Sequence, residues 1–298
     1  MKLLLTGDWH LTNTAPEKRI DNYVKAQDRK IDFICTLAKE KNCACIIQPG
    51  DFFDSHKAND FLKRKMIQIL MDTHLPPILT IFGQHDLRYH SSDTRNTPLR
   101  VLEAAEIIDI LGHMEIEDVN IYGASWFEDI PMPEIEGINI LVIHKMIIKN
   151  NKLWEGQEDV TKGNILLRNS GFDLIVSGDN HQSFTISTGK KHLVNCGSLM
   201  RMTTAQLEHK PVVYIYDTKD KSLEEHFIPI EPAEKVFDLS TIEKEKKENK
   251  ELEAFVSQLK KDTKIEGLDY AKNLFDYTKD NKETIEEGTL NIILEVMI

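Results

Sequence analysis

The stretch Leu3-Leu4-Leu5-Thr6-Gly7-Asp8-Trp9-His10 constrains this chain more than any other. It reads as a buried strand: an apolar run stops at a glycine, and an aspartate and a histidine two residues apart follow at once. Open α/β sheets bind their ligands at the carboxyl ends of strands. Two metal-type ligands therefore stand where such a sheet would use them.

The same ending recurs down the chain. Ala44-Cys-Ile-Ile-Gln48 reads as a strand closing on Pro49-Gly50-Asp51, and Ile78-Leu-Thr-Ile-Phe82 closes on Gly83-Gln84-His85-Asp86. Ile138 to Ile143 ends in His144, and Phe172 to Val176 ends in Ser177-Gly178-Asp179-Asn180-His181. Apolar spacing predicts helices over 20–41, 60–72, 98–111 and 160–169, with a strand over Val119–Tyr122. From Ser183 to Ile228 the pattern changes to short strands without helices, among them His192–Asn195 and Val212–Tyr216.

After Pro229 and Pro232 the composition shifts. Residues 231–298 hold 17 Asp/Glu against 11 Lys, so this tail supplies −6 of the net charge of −12. A charged helix is expected over 241–261, with a thin stripe of Leu252, Phe255, Val256 and Leu259, and an apolar strand over 290–298. The expected division is a domain at 1–230 and a small α+β capping or partner-binding segment at 231–298, which the apolar end Val296-Met-Ile298 suggests is cut short or covered by a partner.

The acidic balance argues against a protein that holds nucleic acid by bulk electrostatics alone. Four cysteines (Cys35, Cys43, Cys45, Cys196) without paired spacing fit a reducing compartment and read as small buried apolar residues. The apolar start breaks at Thr6-Gly7-Asp8, too early for a signal peptide, and no run approaches a membrane span. A cytosolic location is expected, with no membrane partner.

Taken singly, a loop histidine is a surface residue and Gly-Asp is an ordinary turn. Five strands ending this way are hard to explain as turn chemistry, and mixed Asp/His donors on convergent strand ends suit two divalent ions about 3.5–4 Å apart.

In order and spacing, Gly7-Asp8-Trp9-His10, Gly50-Asp51-Phe52-Phe53-Asp54, Gly83-Gln84-His85-Asp86, His144 and Gly178-Asp179-Asn180-His181 resemble the five motifs of the calcineurin-like metallophosphoesterases. Gly7-Asp-Trp-His-Leu11 and Asn195-Cys-Gly-Ser198 look most like the SbcD-type DNA exonuclease subunit of bacteria and phages, the counterpart of the meiotic-recombination-eleven nuclease. The resemblance implies an α/β, four-layer αββα sandwich of two mixed β-sheets. It implies that Asp8, His10 and His181 hold one metal, that Asp51 bridges, and that Gln84, His144 and Asp179 hold the second. It gives His85 the part of stabilising the phosphorane and protonating the leaving oxygen, with Asp54 orienting it. For Asp86 a turn-capping role serves as well. Trp9 reads as core packing or a wall of the site.

Two positions depart from the pattern, Gln84 for the usual Asn and Asp179 for the usual His. A carboxylate at 179 makes the second position harder, favouring manganese, or magnesium, over softer ions; a degenerate second site is the competing explanation. His56, Lys57, Arg88, Lys145 and Arg201 are candidate phosphate contacts or plain surface charges. The remaining histidines (His74, His90, His113, His192, His209, His226) read as structural or surface residues.

The resemblance further implies DNA as substrate, a homodimer, and an SbcC-type SMC-like ATPase as partner, since no G-x-x-x-x-G-K-[ST] loop occurs here. The alternatives are a phosphatase or small-molecule phosphodiesterase on the same fold, which Ser55 in place of a phosphatase arginine disfavours, and a catalytically silent assembly module.

Overall fold

The computed structural model describes residues 1–71, 74–133, 136–149 and 160–240. The chain divides into two compact units, Met1–Asp238 and Leu239–Ile298. The helix expected over 241–261 and the strand over 290–298 lie outside the described residues.

In chain order the strands are β1 (Lys2–Leu5), β2 (Cys45–Gln48), β3 (Ile78–Thr80), β4 (Asp109–Ile110), β5 (His113–Ile116), β6 (Val119–Ala124) and β7 (Ile138–His144). They continue as β8 (Ile147–Ile148), β9 (Thr161–Lys162), β10 (Leu174–Gly178), β11 (Phe184–Thr188), β12 (Lys191–Asn195), β13 (Val212–Asp217) and β14 (Ser222–Phe227). The helices are α1 (Tyr23–Glu40), α2 (Asp60–Leu70), α3 (Pro98–Ala104), α4 (Gly163–Asn169) and the single turn α5 (Ala233–Val236).

Two mixed six-stranded sheets form, ordered β14-β13-β1-β2-β3-β4 and β11-β12-β10-β7-β6-β5. In the first, β1 to β4 run parallel and β13 pairs antiparallel with both β1 and β14; in the second, β12, β10, β7 and β6 run parallel between antiparallel edges.

Side-chain alternation explains the layers. Leu3 and Leu5 with Cys45 and Ile47 face Ile140, Val142, Val176 and Val194 of the other sheet in one buried cluster. Leu4 and Ile46, one residue out of phase, pack with Ile31, Ile34 and Ala38 of α1 and Met66 and Leu70 of α2. On the outer face of the second sheet, Leu141, Ile143 and Ile175 meet Leu167 of α4 and Phe172. The expected four-layer αββα sandwich is thus the observed fold. All four cysteines are buried, and no helix among the described residues is long and apolar enough to cross a membrane.

Local chemistry sets the helix starts. The side chains of Asn22 and Asn59 accept from the Lys25 and Leu62 amides, and Pro98 opens α3 at a position that needs no donor. α3 stops at Ala104 rather than continuing to Leu111 as the spacing predicts. Glu106 turns left-handed (φ 56°), and Asp109–Ile110 pair with Leu79–Thr80. The β-branched run Ile107-Ile108 favours that outcome, because the free edge of β3 rewards a strand. At the other end, Val236 and Phe237 are buried within the first unit, and Arg19 bridges Phe237. This unit therefore runs eight residues past the division at 230 expected from composition, to Asp238.

Candidate metal centre

The strand tips from both sheets converge, and their loops are sewn together by main-chain bonds before any side chain is considered. The Trp9 and His10 amides donate to the Asp51 carbonyl (3.1 and 2.9 Å), the Asp8 amide donates to Gly197 O (3.2 Å), and Leu199 N donates to Asp8 O (2.8 Å). Ser198 N donates to His181 O (3.2 Å). Asn195-Cys-Gly-Ser198 is thus the splint that holds the first and last motifs side by side.

Glycines sit at these tips because nothing larger fits. A Cβ on Gly178 would meet Asp8 Oδ1 at 2.5 Å and His144 Nδ1 at 2.7 Å, and one on Gly83 would run into the Asp51 carboxylate and amide. His10, Asp51 and Asp179 adopt left-handed backbone, with φ of 45°, 50° and 78°. Non-glycine residues hold such angles at some energetic cost, and they gather at functional sites.

The side chains meet in the geometry of shared ligation. His10 Nε2 lies 3.1 Å from His181 Nε2 and 3.5 Å from Asp51 Oδ2. His181 Nε2 lies 3.7 Å from Asp8 Oδ2, and His144 Nε2 lies 3.4 Å from Asp51 Oδ2. Asp8, His10 and His181 form one of two groups among the described residues whose donor atoms fall within 4.8 Å of each other; His10, Asp54 and His85 form the other. Gln84 Nε2 donates to Asp179 Oδ1 at 2.8 Å, so the two departures from the motif pattern are each other's partners.

A divalent cation fits this donor set. Asp8 Oδ1, Asp51 Oδ2, Gln84 Oε1 and His144 Nε2 are buried atoms that no hydrogen bond uses, an arrangement that costs free energy unless something completes it. The His144 Nδ1–H donates to Pro49 O (2.7 Å), which leaves Nε2 as the free donor atom. Electrostatics agree. Burial, reinforced by Asp51 and Asp179, pushes Asp8 well above the ordinary carboxylate range. Burial works against charging His144, but Asp51, Asp8 and Asp179 outweigh it and raise the imidazole to about 10. Burial opposes ionisation of Asp51 too, yet His144 and His10 hold it below its usual value. His181, half-buried and next to His10, falls to about 4 and so offers a neutral ring. These carboxylates call for positive charge, which a metal supplies in place of protons.

Two further residues brace the site. Asp86 is buried and accepts from the amides of Phe52 (3.3 Å), Phe53 (3.1 Å) and Gly83 (3.0 Å), tying the β2 and β3 loops together. Burial and the charge of Asp51 raise it to about 7. Gln48, which sequence reasoning passed over as a strand residue, donates to Gly50 O (2.5 Å) and Gly7 O (3.3 Å) and accepts from Gly50 N (3.1 Å).

Asp54 differs from its expected part. Its carboxylate faces His10 Nδ1 (3.4 Å), and it is the Asp54 main-chain carbonyl that accepts from His85 Nδ1 (2.9 Å). His85 N donates to Asp51 Oδ1 (2.8 Å), and its ring stands edge-on to His10 at the solvent-facing mouth. Trp9 is fully buried, packs on Phe52 and donates to Thr6 Oγ1 (3.2 Å), so it belongs to the core. Arg201 is buried and donates to Leu207 O (3.2 Å) rather than pointing to the solvent-facing mouth, whereas Lys57, Arg88 and Lys145 are exposed.

No curated protein matches this chain in sequence. Among solved structures it is similar to the protein TT1561 of Thermus thermophilus, at 14% identity over 76% of this chain and 99% of that one, with a TM-score of 0.48. It is also similar to an archaeal phosphodiesterase (14% identity, 76% and 99% covered, TM-score 0.42) and to a dimetal phosphatase from Danio rerio (8% identity, 78% and 99% covered, TM-score 0.47). The calcineurin-like phosphoesterase family matches residues 1–183, the stretch that carries the five strand-end motifs but not Asn195–Ser198. The chain therefore belongs to the calcineurin-like phosphoesterases, a family of metal-dependent enzymes, and candidate metal-binding aspartates and histidines converge at its strand tips.

Proposed function

We propose that the protein is a DNA nuclease, hydrolysing phosphodiester bonds as an exonuclease on duplex ends and an endonuclease on single strands or hairpins. The observation that carries this reading is the size and lining of the groove at the metal centre. A cleft of about 750 Å³ opens beside Asp179 and His181 and is walled by Met146, Met202 and Phe227. A phosphoryl group alone needs little of that volume, and apolar walls beside it suit a nucleoside. The His85 loop adds a rim of exposed aromatic and cationic groups. Tyr89 is 77% exposed, with the Arg88 guanidinium 5.3 Å and the His56 ring 5.7 Å from its ring. An exposed aromatic face beside an arginine stacks unpaired bases.

Asp8, His10, Asp51 and His181 would hold one ion and Asp51, Gln84, His144 and Asp179 the other, manganese by the hardness of the second set. When bound, such ions supply an activated water and neutralise phosphoryl charge. His85, held by the Asp51 carboxylate and the Asp54 carbonyl, keeps its Nε2 free to pass a proton to the departing oxygen. In this reading the protein works as a homodimer with an SbcC-type SMC-like ATPase, and segment 239–298 serves capping or docking.

A manganese-dependent cleavage assay comparing duplex, single-stranded and hairpin DNA with para-nitrophenyl phosphate and bis-para-nitrophenyl phosphate tests the reading. Cleavage of DNA and the diester is expected. Turnover of the monoester alone would make the protein a phosphatase, and turnover of nothing would make it an assembly module.

A further inference from the structure

Away from the metal centre, Arg19, Lys30 and Arg201 gather in the buried part of the first unit. The Arg19 side chain is 3% exposed, Lys30 7% and Arg201 4%. Long cationic side chains rarely lie so deep unless they are paired. Among the described residues, the only ion pair these three make is Arg19 with Asp21 (2.8 Å). Lys30 Nζ donates to Leu199 O (2.6 Å), and Arg201 donates to Leu207 O (3.2 Å) and Glu231 O (2.5 Å). Carbonyls satisfy donors but carry no net charge, so three cations stand against one ion-paired carboxylate, with exposed Glu208 acting on Arg201 from farther away. The strain of that imbalance is visible in Lys30, which burial, Arg201 and Arg19 together push down to about 7.

The three cations line a cavity of about 490 Å³. Exposed Arg29 also lines it, as do the apolar side chains of Phe33 and Ile228. Asp32 and Glu231 lie on the wall as well, but Asp32 is solvent-exposed and Glu231 stands 4.0 Å from Lys235.

We propose that this cavity is a second ligand site that binds an organic phosphate. The dianionic head would lie against Arg19, Lys30 and Arg201, where it balances the charge that Asp21 leaves over, and the organic body would lie against Phe33 and Ile228. A phosphate suits this cluster better than a carboxylate because it offers two negative charges and three strong acceptor oxygens. The cavity's volume falls in the range of small-molecule sites and far exceeds a bare anion. Leu199 joins the two sites, since its carbonyl accepts from Lys30 while its amide donates to Asp8 O.

Titration calorimetry and thermal melting of the full chain test the proposal, in EDTA so that no divalent ion recruits phosphate to Asp51. The probes are inorganic phosphate, deoxyadenosine 5′-monophosphate, and one oligonucleotide with a 5′-phosphate or a 5′-hydroxyl. One site per chain is expected, with the nucleotide about tenfold tighter than phosphate. Lys30→Met, which keeps the volume and removes the charge, should weaken binding about tenfold or more. Arg29→Gln, at the exposed edge and harmless to the core, should weaken it about two- to fivefold. Preference for the 5′-phosphorylated strand over the 5′-hydroxyl strand assigns the site to strand ends, and binding of the mononucleotide without the strand assigns it to free nucleotides. No response beyond that to chloride at equal ionic strength, an equal response to the 5′-hydroxyl strand, or unchanged binding in both variants overturns the proposal.

Discussion

His85 reaches solvent while Asp8, Asp51 and Asp86 behind it are buried, so the proposed proton-transfer group and the proposed ligand set are separable by mutation. His85→Ala should lower turnover of bis-para-nitrophenyl phosphate about 10²–10⁴-fold while calorimetry still finds the wild-type number of bound manganese ions. Loss of an ion would move His85 into the ligand set. Gln84 and Asp179 act through one contact, since the donated amide hydrogen leaves Gln84 Oε1 as the free donor. Gln84→Ala and Asp179→Ala should each weaken one ion about 10–100-fold, and the double variant should lose less than the product of the two. Strict additivity would mean that the pair is not coupled. Lys30 carries the clearest pH signature. Its proton leaves near 7 in the folded chain but near 10.5 in the unfolded one. Between those values the unfolded chain binds more protons, so this residue makes stability rise with pH, and below about 7 its full cost applies. In phosphate-free buffer Lys30→Met should melt higher than wild type at about pH 6, with the gap closing toward about pH 9; parallel curves would contradict the shift.

At the scale of elements, Asp86 joins the β2 and β3 loops by accepting from the amides of Phe52, Phe53 and Gly83. Asp86→Ala strands those buried donors and should cost about 3 kcal/mol or more, read as a lower urea midpoint at unchanged slope; a change under about 1 kcal/mol would mean that water replaces the carboxylate. The strand ends themselves were legible in the sequence. An apolar run closing on glycine and a ligand is a local pattern, and the need for glycine is imposed by the crowding seen at Gly83 and Gly178. What was not legible depends on contacts distant in the chain. The strand at Asp109–Ile110 exists because β3 has a free edge. The Asn195–Ser198 splint, the Gln48 brace and the exchange of partners at Asp54 each depend on which loop lies beside which. Left-handed backbone at His10, Asp51 and Asp179 is likewise set by those loops, since aspartate and histidine carry no local demand for it. The burial of Val236 and Phe237 lies beyond a composition shift that suggested an earlier boundary.

For the whole molecule, the candidate ligand set is divided between the sheets. Asp8, His10, Asp51 and Gln84 follow strands of the first sheet, while His144, Asp179 and His181 belong to or follow strands of the second. Between the sheets lies a largely apolar cluster, and at the ligand edge the carboxylates repel one another. An ion held jointly from both sides would then act as a rivet through the sandwich as well as a reagent. At a hundred times its dissociation constant it would add about 2.7 kcal/mol to the folded state, so EDTA should lower the melting temperature, and an unchanged melt would deny the ion that part. Without the rivet, amide exchange should quicken first at the carboxyl ends of β1, β7 and β10, where the halves part. A chain riveted in this way would couple its charge state to its order: the molecule without metal would also be the one whose working edge opens most readily.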